Sequence, residues 1–277
     1  MRELNRQDLS DLLHGCAILG TGGGGELEVG FGYVDAALDA GKTFRLVDLD
    51  EIPDGSMICT PYMLGALVAE TDDGNPDGSP TDKPAIMTAF ERLQDYSGHR
   101  FFGTVACELG AENTAVPAYL AAMADGHLLD ADAAGRAVPE ITHSTYYLNG
   151  LDAAPIVMAN AYGECFICEN VPDDRRAEEI VRALAKISRN DIAVIDHAMD
   201  ISELRNALVK GTLSRAIELG RTLREARNQD RDIAAEIATS GGGYVAFRGQ
   251  VTACECRSKE GFTVGEVAID GCDEWSG

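Results

Sequence analysis

A run of glycines near the N-terminus has the residue types best suited to binding chemistry in this sequence. Glycine occupies five of the six positions from 20 to 25. A backbone without Cβ atoms can adopt positive φ angles and approach a ligand closely. Because a helical pattern follows, the N–H groups of the run are expected at a helix N-terminus, which favours an anion. We therefore predict that the following residues bind a substrate carboxylate, a phosphate or an oxyanion: Thr21, Gly22, Gly23, Gly24 and Gly25.

This run differs from two well-known glycine motifs. A P-loop requires Lys and then Ser or Thr after its last glycine, whereas Glu26 and Leu27 follow here. A dinucleotide-binding fingerprint follows a strand, but residues 9–19 carry apolar side chains at helical spacing. The predicted order is helix, glycine loop, helix. The alternative without a ligand is a tight connection between the two helices.

Polar side chains that follow strand-like segments form a second group of candidates. Tyr62 comes after one such segment, and Glu108 and Asn113 come after another. Ligands of α/β sheets bind at the carboxyl ends of strands. We predict that Tyr62 and Asn113 bind substrate and that Glu108 is a catalytic carboxylate. Cys107 can be a nucleophile at this position, although repulsion of a thiolate by Glu108 favours a packing role for it.

A third group lies between residues 130 and 140. Asp130 and Asp132 are two residues apart and lie on one side of an extended segment. Neighbouring carboxylates either bind a cation or separate their pKa values for acid–base work. We therefore predict both as ligands of a divalent metal and Asp132 also as a catalytic residue. Arg136 is suited to clamp a carboxylate and Glu140 to act as a catalytic base. The alternative is a solvated acidic turn with a structural Arg–Glu pair.

The elements that must position these residues predict an α/β fold in two parts. In residues 1–155, helical and strand-like segments alternate, as in parallel sheets with crossover helices. This part includes a helix over 118–124 with Pro117 in its first turn. In residues 156–277 we predict a smaller mixed domain with paired strands, an amphipathic helix and a β-rich end. Strand-like runs from Tyr244 onward suggest an antiparallel sheet or a small barrel.

Composition excludes several classes of partner. The formal net charge is −23, from 46 acidic and 23 basic residues, so the surface repels nucleic acid and anionic lipid. No apolar run reaches the length of a membrane span, and the N-terminus lacks the plan of a signal peptide. We expect a cytoplasmic protein that partners neither nucleic acid nor membrane.

The eight cysteines are then expected to be reduced thiols. Two pairs, Cys165 with Cys168 and Cys254 with Cys256, resemble the halves of a zinc site. Strand spacing places the first pair on opposite faces, which favours small buried side chains instead.

Taken together, three segments resemble the DUF917 family, which is also called S-methyl-thiohydantoin desulfurase-like. They are Leu19 to Gly25, Glu108 to Asn113, and Asp130-Ala131-Asp132 with Gly135-Arg136-Ala137-Val138-Pro139-Glu140. Members of this family often accompany hydantoinase or oxoprolinase genes. The similarity spans most of the chain and is strongest over residues 9–150.

The resemblance implies an N-terminal three-layer α/β domain followed by a smaller, barrel-like β-rich domain with helices. It also implies a hydrolase that removes sulfur from an S-methylated thiohydantoin carrying a propionate side chain. This chain departs from the family at Leu109-Gly110-Ala111, where further glycine is usual. Family members are also longer, so the β-rich domain is expected to be truncated here.

Three functions remain open from the sequence. The first is a hydrolase acting on a hydantoin-like ring with a carboxylate, with or without a divalent metal, and forming a homo-oligomer. In that case Glu140→Gln and Asp132→Asn are expected to lose turnover while the fold is retained. The second is a non-catalytic binding or accessory subunit of a hydantoinase-type enzyme. The third is a nucleotide-dependent enzyme, against which the missing Lys-Ser/Thr pair argues.

Overall fold

A computed structural model describes residues 1–65, 81–189, 191–259 and 262–276 of the chain. The helices of these ranges are α1 (Arg6–Gly20), α2 (Leu27–Asp39), α3 (Ala85–Ser97), α4 (Ala111–Met123), α5 (Thr145–Leu148), α6 (Asp174–Ile187), α7 (Ile201–Leu204), α8 (Thr212–Asn228) and α9 (Ile233–Ser240). The strands are β1 (Arg2–Leu4), β2 (Phe44–Val47), β3 (Met57–Gly65), β4 (Gly103–Ala106), β5 (His127–Asp132), β6 (Ile156–Ala159), β7 (Cys165–Cys168), β8 (Asp191–Asp200), β9 (Val209–Lys210), β10 (Gly249–Lys259) and β11 (Phe262–Gly271).

One large mixed sheet organises most of these elements. Its strand order is β1-β2-β5-β4-β3-β8-β6-β7, and β9 pairs with β5. The strands β2, β5, β4 and β3 run parallel to one another, as the alternation of helices and strands predicts. Strand β8 is inserted antiparallel between β3 and β6. The α/β fold class is therefore confirmed, with an antiparallel strand in the interior of the sheet.

The smaller sheet lies at the C-terminal end of the described residues and consists of β10 and β11 in antiparallel pairing. This agrees with the predicted antiparallel β-rich end, for which the sequence also left a barrel open. The run Tyr244–Phe247 has no strand structure. The division near residue 155 stays a prediction, since strands from both sides of it share the large sheet.

The start of α4 corrects one prediction. The helix begins at Ala111 rather than near Ala118, so Pro117 lies in its interior and not in its first turn. Proline has no N–H group for the helical ladder. The Pro117 carbonyl is nevertheless used, because it accepts a hydrogen bond from the Thr104 hydroxyl at 2.8 Å. The early start brings the N-terminus of α4 directly behind Cys107 and Glu108 at the end of β4.

Helices α1 and α8 cross so closely that their backbones are in contact. A Cβ atom added to Gly15 would lie 1.8 Å from the Ala216 carbonyl oxygen, and one added to Gly220 would lie 1.8 Å from the Asp11 carbonyl oxygen. Both Asp11 carboxylate oxygens also accept hydrogen bonds from Arg224, at 2.9 and 2.8 Å. The crossing fixes the end of α1 from which the glycine loop emerges.

Among the described residues, no helix combines the length and the apolar character that crossing a membrane requires.

The substitution Gly15→Ala is expected to destabilise the protein by about 3 kcal/mol, because the added methyl group has no room between the two helices. Chemical denaturation measures the change in the free energy of unfolding.

The matched control is Gly32→Ala in the interior of α2, where nothing lies within 4 Å of an added Cβ. This variant is expected to gain about 0.5–1 kcal/mol from helix propensity. Equal stability of Gly15→Ala and wild type would contradict the close crossing.

Candidate active site

A cavity of about 690 Å³ opens where the glycine loop meets the carboxyl ends of β3 and β4. Residues 138–146, helix α6 and strand β8 complete its wall. Eight of the predicted site residues line it: Gly22, Gly23, Gly24, Gly25, Tyr62, Glu108, Asn113 and Glu140. The cavity thus joins the glycine loop, the second group of candidates around β3 and β4, and Glu140 from the third group.

The glycine loop is both a helix connection and a wall of the cavity. Thr21 ends α1 in a left-handed conformation and points outward, away from the lining. Gly24 has φ +73°, and an added Cβ there would lie 2.4 Å from the Gly110 Cα. The Gly24 carbonyl accepts a hydrogen bond from the Asn113 amide at 3.0 Å. Only glycine at this position lets the loop lie directly on the start of α4.

Glu108 and Asn113 hold the segments around the cavity together. One Glu108 oxygen accepts from the Asn113 side-chain amide at 2.8 Å, and the other accepts from the Val138 amide at 2.5 Å. The Asn113 oxygen accepts from the Met63 amide at 3.0 Å. Burial raises the pKa of Glu108, while the two donors act in the opposite direction. These hydrogen bonds join β3, α4 and the segment at Val138 into one wall of the cavity. The sequence positions of Glu108 and Asn113 do not predict these partners.

A buried Asp–His pair in β8 is the main feature that the sequence reasoning missed. The strand forms a bulge, in which His197 and Ala198 lie opposite the single residue Cys59 of β3. His197 has φ +41°, an uncommon conformation for a residue with a side chain. Bulges next to active sites redirect side chains. Here the bulge allows the adjacent side chains of Asp196 and His197 to meet.

The two ring nitrogens of His197 differ in their surroundings. The Nδ1 atom lies 2.8 Å from Asp196 Oδ1, so its N–H group donates a hydrogen bond to the carboxylate, and this bond fixes the tautomer of the ring. The Nε2 atom is buried and has no hydrogen-bond partner among the described residues. His197 is 1% exposed and lines the cavity. Such an imidazole has one nitrogen held by a carboxylate and the other available for a proton.

Two tyrosines and a cysteine surround this pair. The Tyr62 hydroxyl donates to Asp196 Oδ2 at 2.8 Å, and the Tyr146 ring stacks on His197 with 4.1 Å between centroids. Tyr62 therefore contacts the candidate catalytic pair, in addition to its predicted place at the substrate. Burial raises the pKa of the Cys107 thiol well above its ordinary value, with Glu108 and Asp196 adding to the effect. A protonated thiol agrees with the predicted preference for packing over nucleophilic attack.

Carboxyl groups dominate the charge of the cavity. Six of them line it: Glu108, Glu112, Glu140, Glu178, Asp191 and Asp196. Burial raises the pKa of Glu112 to about 6, and the Asp191 carboxylate adds to this effect. Glu140 is half-buried and accepts from the Thr142 hydroxyl at 3.2 Å. The arginine of the lining is Arg182, which pairs with Glu178 and donates to the Pro139 carbonyl at 3.2 Å.

Besides Thr21, three predicted residues lie outside this lining. Arg136 is exposed and donates to the Ala137 carbonyl at 3.0 Å. Asp130 accepts from the Ser214 amide and hydroxyl, and it borders a separate cavity of about 190 Å³. One Asp132 oxygen accepts from the amides of Ala134 and Gly135, at 2.9 and 2.7 Å, and the other has no described partner. Asp130 and Asp132 thus form hydrogen bonds with different segments of the chain.

The predicted metal site was compared with the side chains that could act as metal ligands. In the parts of the chain that the structure describes, no three His, Cys, Asp or Glu side chains group closely enough to hold a metal ion. The described cysteines are free thiols, with Cys16 and Cys59 buried and Cys254 and Cys256 exposed. A divalent metal at Asp130 and Asp132 stays a prediction.

One sequence signal for the Asp–His pair does exist. The run from Ile192 to Ile195 is apolar and strand-like, and Asp196 and His197 follow it directly with no turn-forming residue between them. Burying two polar side chains at the end of a strand costs free energy of folding unless they are hydrogen-bonded. This cost indicates a candidate site, although the sequence does not predict the hydrogen-bond partners of the pair.

The chain is similar to a known family and to a solved structure. The N-terminal domain model of the S-Me-THD-like family matches residues 7–170, and the C-terminal domain model matches residues 172–277. A crystal structure of a protein from Chromobacterium violaceum is 25% identical, with a TM-score of 0.72, and the match covers 99% of this chain and 73% of that chain. No match was found among curated proteins.

The burial of Asp132 generates a pH-dependent prediction. Burial raises its pKa to about 6, against the opposing effect of the hydrogen bonds from the Gly135 and Ala134 amides. A raised pKa means that the folded state retains the proton, so this stabilisation is present at pH 4 and is lost as the pH rises through 6. Relative to wild type, Asp132→Asn is expected to gain about 3 kcal/mol in the free energy of unfolding between pH 4 and pH 8.

Urea denaturation at several pH values measures this difference, with Asp39→Asn at an exposed helical position as the control for loss of a carboxylate. If the free energies of unfolding of the wild type and of Asp132→Asn differed by the same amount at every pH in this range, the raised pKa of Asp132 would be overturned. Turnover of the same variant tests the separate prediction that Asp132 is catalytic.

Proposed function

Because this chain belongs to the S-Me-THD-like family, we propose that it is a hydrolase acting on a hydantoin- or thiohydantoin-like ring. The single observation that supports hydrolysis is the buried His197 at the cavity, whose Nδ1 is held by Asp196 and whose Nε2 has no partner in the described parts of the chain. A general base needs this arrangement, in which a third group orients the imidazole and one nitrogen is left for water.

The proposed reaction is the replacement of sulfur by oxygen at one ring carbon. His197 Nε2 takes one proton from water, and the water oxygen forms a bond to the carbon that carries the S-methyl group while the π electrons of its C=N bond move to the ring nitrogen. The second proton of the water then passes from the oxygen to that nitrogen, and the C=O bond forms as the C–S bond breaks. The departing thiolate receives the proton held by His197 and leaves as methanethiol. The products are the hydantoin ring and methanethiol, so one water is consumed and no oxidant or reductant is needed.

The remaining groups of the cavity fit the charges of this reaction. The imidazolium that forms on His197 lies against the Asp196 carboxylate, which stabilises it. The backbone of Gly22 to Gly25 lines the cavity. The Gly23 N–H group already donates to the Gly20 carbonyl at 2.9 Å, so we assign the N–H groups of Gly22, Gly24 and Gly25 to an anionic group of the substrate. Glu112, with its pKa raised to about 6, is suited to exchange a proton with a ring nitrogen near neutral pH.

The substrate carboxylate remains part of the proposal. Arg136, the predicted clamp, is exposed and outside the lining. The glycine loop is the other predicted anion-binding group, and it does line the cavity. We therefore assign a propionate side chain, if present, to the loop end of the cavity.

The test is methanethiol release from S-methyl-thiohydantoin propionate, followed with a thiol reagent. His197→Gln is expected to lose at least about 100-fold in kcat, because glutamine cannot take the proton from water. Asp196→Asn is expected to lose activity as well, because an amide no longer selects the required tautomer.

The matched control is His99→Gln, since His99 is exposed and outside the lining. Wild-type activity in His197→Gln would overturn the role of the pair. A thermal shift with the ring but no turnover by the wild type would instead favour the non-catalytic binding subunit.

A further inference from the structure

Helix α6 carries two ion pairs that differ in their surroundings. Arg176 and Glu179 lie on its exposed face, with side chains that are 57% and 66% exposed. Glu178 and Arg182 line the cavity, with side chains that are 10% and 14% exposed, and Arg182 Nε donates to Glu178 Oε1 at 2.7 Å. Desolvation of a buried ion pair is repaid only when further hydrogen bonds satisfy its remaining donors and acceptors. The second pair therefore requires further partners.

The partners of this buried pair include the two peptide groups that flank Glu140. The Pro139 carbonyl, in the peptide group before the Glu140 Cα, accepts from Arg182 Nη2 at 3.2 Å. The Ile141 amide, in the peptide group after it, donates to Glu178 Oε2 at 3.0 Å. Because peptide groups are planar, the orientations of these two groups define φ and ψ of the residue between them. The pair thus fixes the extended backbone of Glu140 and the direction of its Cα–Cβ bond.

Two further hydrogen bonds anchor the same segment to the sheet. Arg182 Nη1 donates to the Gly65 carbonyl, at the carboxyl end of β3, at 3.4 Å. The Val138 amide donates to Glu108, after β4, at 2.5 Å. Segment 138–141 is therefore held between α6 and the carboxyl ends of two neighbouring strands, where the Glu140 side chain lines the cavity.

The chemistry of the Glu140 side chain matches one group of the proposed ring. Glu140 is half-buried, and its Oε2 accepts from the Thr142 hydroxyl at 3.2 Å. A carboxylate accepts several hydrogen bonds at once, so this contact leaves capacity for a ligand. The S-methylated ring retains one N–H group, and the hydantoin product has two. These N–H groups are donors that a carboxylate in the wall of the cavity is suited to bind.

Given the proposed hydantoin-like ring, on which this inference rests, we propose that Glu178 and Arg182 are positioning residues for Glu140. The Glu140 carboxylate accepts a hydrogen bond from a ring N–H group. A site built for an N–H group rejects a ring that lacks it, so Glu140 determines specificity. With His197 as the base, Glu140 has a binding role.

A double-variant cycle tests whether Glu178 acts through Glu140. The probe is hydantoin 5-propionate, the product of the proposed reaction, whose dissociation constant calorimetry measures without turnover. Glu140→Ala and Glu178→Ala are each expected to weaken binding about tenfold, because the hydrogen bond to the ring is lost in both. The double variant is expected to bind about as weakly as either single variant. Two independent effects would instead combine to about a hundredfold.

The matched control is Glu179→Ala, which breaks the exposed ion pair of the same helix and is expected to leave the affinity unchanged. If Glu178→Ala does not fold, the same cycle is run with Arg182→Met, which removes the bond to Pro139 and keeps Glu178 for Ile141. Its expected loss of affinity is about threefold. Hydrogen exchange of the Ile141 amide needs no ligand. Exchange is expected to be at least about tenfold faster in Glu178→Ala and unchanged in Glu179→Ala.

A second ligand tests which group of the ring Glu140 binds. Methylation of both ring nitrogens removes the N–H donors and is expected to weaken binding to the wild type about tenfold more than binding to Glu140→Ala. Equal losses in the two proteins would overturn the role of Glu140 as the acceptor.

An additive cycle, or an Ile141 amide that exchanges at the wild-type rate in Glu178→Ala, would overturn the positioning role. Methanethiol release by the wild type would still uphold the hydrolase in that case. A wild type that binds the hydantoin with a non-additive cycle and releases no methanethiol would overturn the hydrolase alone. A wild type that binds no ring would overturn both, so the failures are distinguishable.

Discussion

The candidate site depends on one break in the regularity of a strand. Consecutive side chains of a β-strand point to opposite faces, so Asp196 and His197 cannot meet in a regular strand. The bulge opposite Cys59 and the positive φ of His197 remove this restriction. The contacts with Tyr62 and Tyr146, and the hydrogen bond from the His197 amide to the Ala153 carbonyl, then serve to hold a conformation that costs free energy by itself. Backbone strain of this kind clusters at functional sites.

A second constraint is the close approach of the glycine-loop backbone to the start of α4. The loop lies against Gly110, and Asn113 and Glu108 join it to β3 and to the segment near Val138. The two interpretations of the loop are therefore compatible. The same backbone that makes a tight connection between α1 and α2 also forms one wall of the cavity, because α4 begins directly behind it.

Local patterns predict the elements whose structure is set by neighbours in sequence. Apolar spacing over residues 9–19 predicts α1, and the paired strands predicted for residues 156–277 are confirmed by the antiparallel pairing of β6 with β7. The antiparallel place of β8 depends on pairs such as Tyr62 with Val194, which are remote in sequence. For this reason the short strand predicted at 192–195 carries no information about its partners.

The same distinction applies to the site. Residue type singles out the glycine loop, Tyr62, Glu108 and Asn113, and these line one cavity, although Tyr62 lies within β3 rather than after it. Spacing alone suggests a shared role for Asp130 and Asp132, but the hydrogen-bond partners differ, since Asp130 bonds to Ser214 and Asp132 to the turn after it. His197 depends on a bulge, a remote peptide and a stacked ring. No sequence motif predicts the bulge, the remote peptide or the stacked ring.

The position of β8 in the large sheet has a consequence for biosynthesis. Strands β3 and β6 both pair with β8, which comes later in the chain than either of them and lies beyond the N-terminal family domain. While the chain is being translated, these strands present open edges until β8 has left the ribosome. Open edges pair readily with other chains. A nascent chain that stalls before this point is therefore expected to need a chaperone more than one that stalls after it.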